Sequence, residues 1–223
     1  MTTKLNFGII GCSSVAKNSF IPALLKSKNA TLESVGSRSI SKSKYFAKKF
    51  HCKNFGNYDD ILENQKIDAV YISLPIALQE KWILKAARAG KHILCEKSST
   101  TSFKSAQKIV NECKKNDIRI MENFPFIFHP QQIKIRQLLK SNKFGNTFSF
   151  SGKFGFNLNY SSNNFRFNKE LGGGILNDVG CYIICASRYI FQSMPLTIFC
   201  NLTYNKKYKI DTKGTIYMTF PKG

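Results

Sequence analysis

The sequence predicts an α/β protein with two domains: a doubly wound parallel sheet, followed by a partial α+β domain with a mainly antiparallel sheet. Two observations support this prediction. From residue 4 to residue 124, short apolar runs alternate with longer amphipathic runs, which is typical of a parallel sheet with helices on both faces. After Pro125, strands with alternating aromatic and polar residues replace this pattern. We therefore expect one domain over residues 1–123 and another over 124–223.

The elements of the first domain follow from hydrophobic periodicity. Runs rich in Ile, Val and Phe, bounded by turn residues, predict five strands: "KLNFGIIG", "TLESVGS", "DAVYISLP", "KHILCEK" and "IRIMENF". Apolar residues three and four apart predict the helices between them: "VAKNSFIPALLKSK", "SKSKYFAKKF", "YDDILENQ", "ALQEKWILKAARAG" and "SFKSAQKIVNECKKN". Ser41 and Ser102 are the expected helix caps, and Gly90 is the expected helix end.

The second domain mixes both patterns. We expect helices in "HPQQIKIRQLLKSNKFG" and in "GGGILNDVGCYIICASRYIF", where a glycine turn leads into a long apolar run. "NTFSFSGKFGF" alternates aromatic and polar residues and predicts a half-exposed antiparallel strand. "LTIFCNLTY" and "GTIYMTF" predict two further strands.

The charge balance is strongly basic, with 34 Lys and Arg against 13 Asp and Glu in 223 residues. Such an excess can indicate a nucleic-acid or anionic lipid partner. However, the lysines occur at most in pairs, and the sequence contains no RNA-binding aromatic motif. We therefore expect solvated basic surfaces and no nucleic-acid partner.

Cysteine usage and hydropathy narrow the class further. The seven cysteines form no CxxC pair, and their odd number argues against a disulfide framework or a zinc site. No apolar run reaches the length of a membrane span. We expect a cytoplasmic protein with reduced thiols, no metal and no membrane partner.

Residues 7–20, "FGIIGCSSVAKNSF", fit either an export signal with a lipid-attachment site at Cys12 or a strand that enters a glycine turn. An export signal needs an apolar region of roughly 7 to 15 residues. "LNFGII" is shorter and contains Asn6, so we favour the glycine turn.

The glycine turn predicts the dinucleotide site of a Rossmann fold, because the N–H groups at a helix N-terminus bind a pyrophosphate. Gly11 supplies the tight turn, and Ala16 is the small residue where the helix packs on the sheet. Ser13 replaces the usual middle glycine. Its hydroxyl could bind phosphate, whereas its Cβ narrows the approach of the ligand.

The end of the second strand indicates which dinucleotide is bound. Enzymes that use NAD normally present a carboxylate there to the ribose hydroxyls. This chain has Ser37 and Arg38 instead, and Glu33 lies too early, inside the strand. A hydroxyl and a guanidinium suit a 2′-phosphate, so we expect NADP(H).

Two stretches carry side chains suited to chemistry. "CEKSSTT" places Glu96 and Lys97 at the carboxyl end of a parallel strand, the edge at which such sheets bind ligands. "GGGILNDVGCY" places Asp178 and Tyr182 four residues apart on one helix face. Singly, these features also fit a surface ion pair and a core aromatic residue. Together they predict a site that reduces a carbonyl group.

The sequence resembles the glucose-fructose oxidoreductase/inositol dehydrogenase (Gfo/Idh/MocA) family of two-domain NAD(P)-dependent sugar oxidoreductases. The matching stretches are "GIIGCSSVA", "GSRS", "DAVYISLP", "AGKHILCEKS" and "ELGGGILNDVGCY". The family's EKP triplet reads Glu96-Lys97-Ser98 here, and Tyr182 stands where many members have His. "AVYISLPIALQEKWILKAARAGKH" and "MENFPFIFHPQ" are most similar to NADPH-dependent 3-ketoreductases that act on nucleotide-linked deoxysugars.

This resemblance implies a set of residues that line the cofactor. From the first domain these are Gly11, Cys12, Ser13, Ser14, Val15, Ala16, Ser37, Arg38, Tyr58, Leu74, Pro75, Gln79 and Glu96, and from the second domain Arg166 and Asp178. Gln79 stands where such enzymes often have His. Tyr182 is the expected proton donor and Lys97 its electrostatic partner, and the reverse assignment stays open.

The resulting hypothesis is NADP(H)-dependent reduction of a keto group on a sugar or nucleotide-linked sugar. A dehydrogenase of a free sugar or cyclic diol is the alternative within the enzyme class. Family members usually continue well beyond this length, so a truncated, non-catalytic nucleotide-binding protein is the alternative outside that class. An incomplete C-terminal sheet would expose a strand edge, which could pair with a second copy of the chain.

Overall fold

The computed structural model describes residues 4–141, 143–161 and 164–221. The chain divides into two compact units, Met1–Asn123 and Phe124–Gly223. Each unit has its own sheet: six strands in the first unit and two in the second. The predicted fold class, a parallel sheet followed by an antiparallel one, is confirmed.

The first unit is a parallel sheet with strand order β3-β2-β1-β4-β5-β6. Its strands are β1 Leu5–Ile10, β2 Ala30–Gly36, β3 Asn54–Gly56, β4 Ala69–Ile72, β5 His92–Glu96 and β6 Ile120–Asn123. Its helices are α1 Ile21–Lys26, α2 Ile40–Lys49, α3 Tyr58–Glu63, α4 Ile76–Arg88 and α5 Phe103–Lys115. A π-helical turn over Ala16–Phe20 leads into α1. The strand order reverses direction between β1 and β4, and open sheets of this kind bind ligands at the carboxyl ends of the strands beside such a reversal.

Helices cover both faces of this sheet, as the burial of neighbouring residues shows. In β1, Ile9 belongs to one buried cluster with Ile21 and Phe46, whereas Ile10 belongs to another with Ile61 and Ile83. Adjacent residues of a strand point to opposite faces, so both faces of the central strands are covered. Burial of each such isoleucine stabilises the fold by about 1.5–3 kcal/mol.

The helix boundaries follow from capping groups. The Ser102 hydroxyl accepts a hydrogen bond from the Ser105 N–H at the start of α5, so this predicted cap is confirmed. The prediction of Ser41 as a cap was wrong, because Ser39 caps α2. Gly90 follows α4 with a positive φ of 73° and confirms the predicted helix end.

The second unit contains α6 Pro130–Lys140, α7 Cys181–Phe191, β7 Thr197–Asn205 and β8 Ile210–Thr219. Single 3₁₀ turns cover Pro125–Phe128, Phe165–Phe167 and Lys169–Leu171, and a π-helical turn over Leu176–Gly180 leads into α7. Strands β7 and β8 pair in antiparallel register from Thr197 opposite Thr219 to Asn205 opposite Ile210.

The prediction of a strand in residues 146–156 was wrong. Residues 146–156 form neither a strand nor a helix. Its aromatic alternation satisfies the pattern of a strand, but a strand also needs a hydrogen-bonded neighbour, and β7 pairs with β8 instead.

In the described residues, no helix combines the length and the apolar character needed to cross a bilayer.

Candidate active site

The glycine turn at the end of β1 needs glycine for two reasons. Gly11 has a φ of +108°, which L side chains rarely adopt. A Cβ at this position would lie 2.6 Å from the carbonyl oxygen of Ser73 and 2.9 Å from Cδ2 of Leu74. The chain therefore passes directly against the end of β4 here, and the following residues begin a helical stretch.

Ser13 closes this turn. Its hydroxyl donates a hydrogen bond to the Ser73 hydroxyl at 2.9 Å and accepts one from the Ala16 N–H at 3.0 Å. The Ser73 hydroxyl in turn donates to the carbonyl of Gly11 at 2.9 Å. The Ser13 hydroxyl thus caps the helical stretch and connects it, through Ser73, to the end of β4. The sequence pattern had suggested only that this hydroxyl could bind phosphate.

The first turn of this helical stretch is open to solvent. Ser14 and Val15 are exposed, whereas Ala16 is completely buried against the sheet, as the small-residue motif predicts. The first amides of a helix have no acceptor within the helix and carry its positive dipole end. This turn is therefore suited to hold an anionic group.

The end of β2 carries the residues expected near a 2′-phosphate. Ser37 is buried, and its N–H donates to the carbonyl of Gly56 at 3.1 Å. The side chain of Arg38 is exposed. Tyr58, the first residue of α3, is buried; burial raises the pKa of its phenol, and the nearby charge of Arg38 opposes that rise. The positive charge of Arg38 thus lies beside the buried phenol of Tyr58.

Cys12 is a buried thiol in the turn itself. Its Sγ contacts the carbonyl of Gly36 at 3.8 Å. Burial raises the pKa of this thiol from 9.0 to about 11, with the charge of Lys42 and a hydrogen bond from Ser37 opposing the rise. Because the folded pKa is raised, the stability that Cys12 contributes is present below about pH 9 and is lost as the pH rises toward 11.

We expect the thiol of Cys12 to be labelled by a maleimide about 100-fold more slowly than the exposed thiol of Cys200, because the raised pKa removes thiolate and burial removes access. Mass spectrometry of the labelled peptides, in buffer and in urea, measures both rates. Labelling of Cys12 as fast as Cys200 in the folded protein would contradict the buried geometry.

Lys97 lies in a turn that is fixed on its amino side through Glu96, the last residue of β5. Oε1 of Glu96 accepts hydrogen bonds from the Tyr71 hydroxyl at 2.5 Å and from Nδ2 of Asn123 at 2.7 Å. The Tyr71 ring is fully buried and stacks on Phe20 with 3.7 Å between centroids. The aromatic pair links this turn to the helical stretch that follows Gly11.

The carboxyl side of the same turn is fixed as well. The Ser99 N–H donates to Oε1 of Glu122 at 2.6 Å, and the peptide bond between Lys97 and Ser98 is cis. The side chain of Gln79 in α4 is fully buried, and its Nε2 donates to the carbonyl oxygens of Glu96 and Ser98. Hydrogen bonds therefore hold the backbone on both sides of Lys97.

Two further residues that the resemblance places beside the cofactor, Leu74 and Pro75, lie in the chain between the Gly11 turn and the Lys97 turn. Leu74 and Pro75 connect β4 to α4, with Leu74 beside Gly11 and Pro75 immediately before the helix. The predicted residues of the first unit thus lie at or after the carboxyl ends of β1, β2, β3, β4 and β5. Their contacts with a cofactor stay a prediction.

In the second unit, Arg166 and Asp178 form an ion pair with each other. Nε of Arg166 lies 2.5 Å from Oδ2 of Asp178. Asp178 as a residue is only 7% exposed. The N–H of Gly174 donates to the carbonyl of Arg166 at 3.2 Å, so the glycine run lies directly against this residue. A cavity of about 260 Å³ adjoins the pair, with Phe156, Phe167 and Asp211 also in its wall.

Tyr182 is the second residue of α7 and lies among phenylalanine rings. Ring centroids of Phe124, Phe154 and Phe126 lie 5.5, 5.4 and 6.2 Å from that of Tyr182. Asp178 belongs to the π-helical turn before α7. Tyr182 and Lys97 belong to different units, so their approach to each other stays a prediction.

Comparison with known proteins identifies two domain families in the chain. Residues 5–124 match the family described as "Oxidoreductase family, NAD-binding Rossmann fold", and residues 133–223 match "GFO/IDH/MocA C-terminal domain". Together these matches cover most of both units.

Two curated relatives are similar over nearly the whole chain. A dTDP-3,4-didehydro-2,6-dideoxy-alpha-D-glucose 3-reductase of Saccharopolyspora spinosa is 32% identical over 219 residues. A D-xylose 1-dehydrogenase (NADP(+)) of Haloferax volcanii is 30% identical over 218 residues. These alignments cover 98% and 97% of this chain, but only 65% and 66% of the relatives.

Among solved structures, KijD10, a 3-ketoreductase from Actinomadura kijaniata in complex with NADP and TDP-benzene, matches with a TM-score of 0.86 and 28% identity. The match covers 99% of this chain and 68% of that one.

Proposed function

Because this chain belongs to the Gfo/Idh/MocA family of oxidoreductases, we propose that it uses NADP(H) to reduce a keto group of a nucleotide-linked deoxysugar. The observation that carries the proposal is the turn at Lys97, which is hydrogen-bonded on both sides at the carboxyl end of β5. The similarity to a 3-reductase of a dTDP-linked sugar supports the choice of substrate class.

The residues present fit a dinucleotide. Gly11 forms a tight turn at the carboxyl end of β1, and Ser14 and Val15 at the start of the following helical stretch are exposed, so a pyrophosphate can approach the start of that stretch. The guanidinium of Arg38 at the end of β2 suits a 2′-phosphate. When bound, NADPH supplies the hydride. The NADP complex of KijD10 supports this assignment.

Reduction of a ketone also requires a proton for the developing alkoxide. We assign the donation to the hydroxyl of Tyr182, whose ring is surrounded by Phe124, Phe126 and Phe154. A phenol with an ordinary pKa of about 10 is a reluctant donor at neutral pH. The ammonium of Lys97 favours the phenolate that remains and orients the carbonyl oxygen. The reverse assignment of donor and partner is the alternative.

Asp178 and Arg166 serve a binding role in this proposal. Their ion pair fixes the Asp178 carboxylate beside the cavity of the second unit. A carboxylate held in this way can accept a hydrogen bond from a sugar or ribose hydroxyl.

The decisive test is a substrate pair followed by nicotinamide absorbance. We expect NADPH oxidation with a dTDP-linked 3-keto-deoxyhexose, and no comparable NADP⁺ reduction with D-xylose. The second substrate is included because of the similarity to a xylose dehydrogenase. Turnover with xylose alone would favour the free-sugar alternative, and tight NADPH binding with no turnover would favour a non-catalytic nucleotide-binding protein.

For the cofactor, we expect Arg38→Ala to raise the Kd for NADPH by about 10- to 100-fold, because a charge-assisted hydrogen bond to phosphate is worth roughly 1.5–3 kcal/mol. The Kd for NADH should not change, since NADH lacks the 2′-phosphate. Fluorescence titration measures both constants.

Arg119→Ala is the matched control. It removes the same charge from an exposed residue just before β6, at the opposite edge of the sheet. Equal losses of NADH and NADPH affinity in Arg38→Ala, or an equal effect of Arg119→Ala, would refute the 2′-phosphate assignment.

A further inference from the structure

Gln79 is a fully buried amide on α4 that contacts the main chain on both sides of Lys97. Its Nε2 lies 3.1 Å from the carbonyl oxygen of Glu96 and 3.0 Å from that of Ser98. These two carbonyls belong to the residues immediately before and after Lys97. One side chain therefore holds both ends of the peptide segment that carries the lysine.

The chemistry of the amide suits this contact. A carboxamide NH₂ group has two hydrogens, so it can serve two carbonyl acceptors at once. The two acceptors also fix the orientation of the amide, because the opposite orientation would direct its oxygen at both carbonyls. The backbone direction at Lys97 sets where its side chain begins, and both hydrogen bonds constrain that direction.

The other end of the amide shows that packing alone does not explain Gln79. Within the described residues, Oε1 of Gln79 is buried without a hydrogen-bond partner. A buried acceptor that lacks a donor opposes folding, and an apolar side chain of similar volume would avoid this cost. The position therefore carries a polar group whose benefit lies in its N–H contacts.

We propose that Gln79 is a positioning residue for Lys97: its amide holds the turn over residues 96–98 so that the lysine is directed toward the reacting carbonyl. This inference rests on the proposed function, in which Lys97 assists proton transfer. It differs from the role that the sequence resemblance implies, which is direct contact between Gln79 and the cofactor.

The test compares Gln79→Met with Lys91→Met. Lys91 is also buried, and its Nζ donates to the carbonyls of Asn64 and Ile67 at 2.9 Å each. These contacts precede β4 and β5, at the edge of the sheet opposite to Lys97. Both variants thus remove a buried nitrogen that bridges two carbonyls, but only one of them releases the Lys97 turn.

We expect Gln79→Met to lower kcat by about 10- to 100-fold, because small misplacements of a reacting group cost this much. KM and the Kd for NADPH should keep their wild-type values. Lys91→Met should lower the melting temperature and leave kcat unchanged. Wild-type kcat in Gln79→Met, or an equal loss of kcat in Lys91→Met, would overturn the proposal. A raised Kd for NADPH with unchanged kcat would assign Gln79 to the cofactor instead.

A second measurement separates this inference from the proposed function. Acylation of Lys97 by acetic anhydride, followed by peptide mass spectrometry, reports the surroundings of the amine without turnover. We expect its rate to change in Gln79→Met and to stay at the wild-type value in Lys91→Met. Absence of turnover in the wild-type protein would overturn the proposed function alone. An acylation rate of Lys97 that is unchanged in Gln79→Met would overturn the positioning role of Gln79.

Discussion

Replacement of Tyr182 by phenylalanine is expected to lower kcat for reduction by about 10²- to 10⁴-fold, the usual contribution of a correctly placed general acid. Phenylalanine keeps the ring that contacts Phe124 and Phe154 but removes the proton. The Kd for NADPH should not change. Stopped-flow absorbance of the nicotinamide, together with a fluorescence titration, measures both quantities.

Lys97→Ala should lower kcat at least as much, because it removes the charge that favours the phenolate. Tyr189→Phe is the control for Tyr182→Phe, because both tyrosines lie in α7. The Tyr189 hydroxyl donates to the carbonyl of Gln132 at 3.1 Å, away from the proposed chemistry. If Tyr182→Phe turned over as fast as Tyr189→Phe, the proton would come from another group.

The second large effect concerns stability. Gly11→Ala should lower the free energy of unfolding by about 2–5 kcal/mol, because it combines an unfavourable φ with a clash against the backbone of β4. The predicted clash is the 2.6 Å approach to the Ser73 carbonyl. NADPH binding should weaken with it, since the turn would have to move.

Gly90→Ala separates the two causes. Gly90 also has a positive φ, +73°, but a Cβ there would meet no atom within 4 Å. This variant should therefore lose only about 1–2 kcal/mol. Urea titrations of both variants give the comparison, and equal losses would show that the contact with β4 does not constrain Gly11.

Much of the fold could be predicted from local sequence. The five predicted strands of the first unit exist because their apolar runs are long enough to be recognised. The short edge strand β3, Asn54–Gly56, was missed since three residues carry no periodic signal. The strand predicted over residues 146–156 was wrong for the converse reason: its alternation is clear, but pairing depends on a neighbour that no local pattern specifies.

In the candidate site, too, features set by local sequence could be predicted, whereas contacts between distant segments could not. Gly11 and Ala16 follow from the spacing of small residues, because a tight turn and a close helix approach are local requirements. The use of the Ser13 hydroxyl depends on Ser73, which lies sixty residues away in the chain. The contact of Gln79 with the Lys97 turn and the rings around Tyr182 likewise join distant segments. Such contacts depend on the tertiary fold, which no local sequence pattern specifies.

The anchoring of the Lys97 turn has an evolutionary consequence. The hydrogen bonds described for Glu96, Ser98 and Ser99 come from residues 71–123, all within the first unit. A lineage can therefore remodel the second unit without losing these hydrogen bonds. A chimaera that grafts the second unit of a relative onto residues 1–123 should therefore retain these hydrogen bonds.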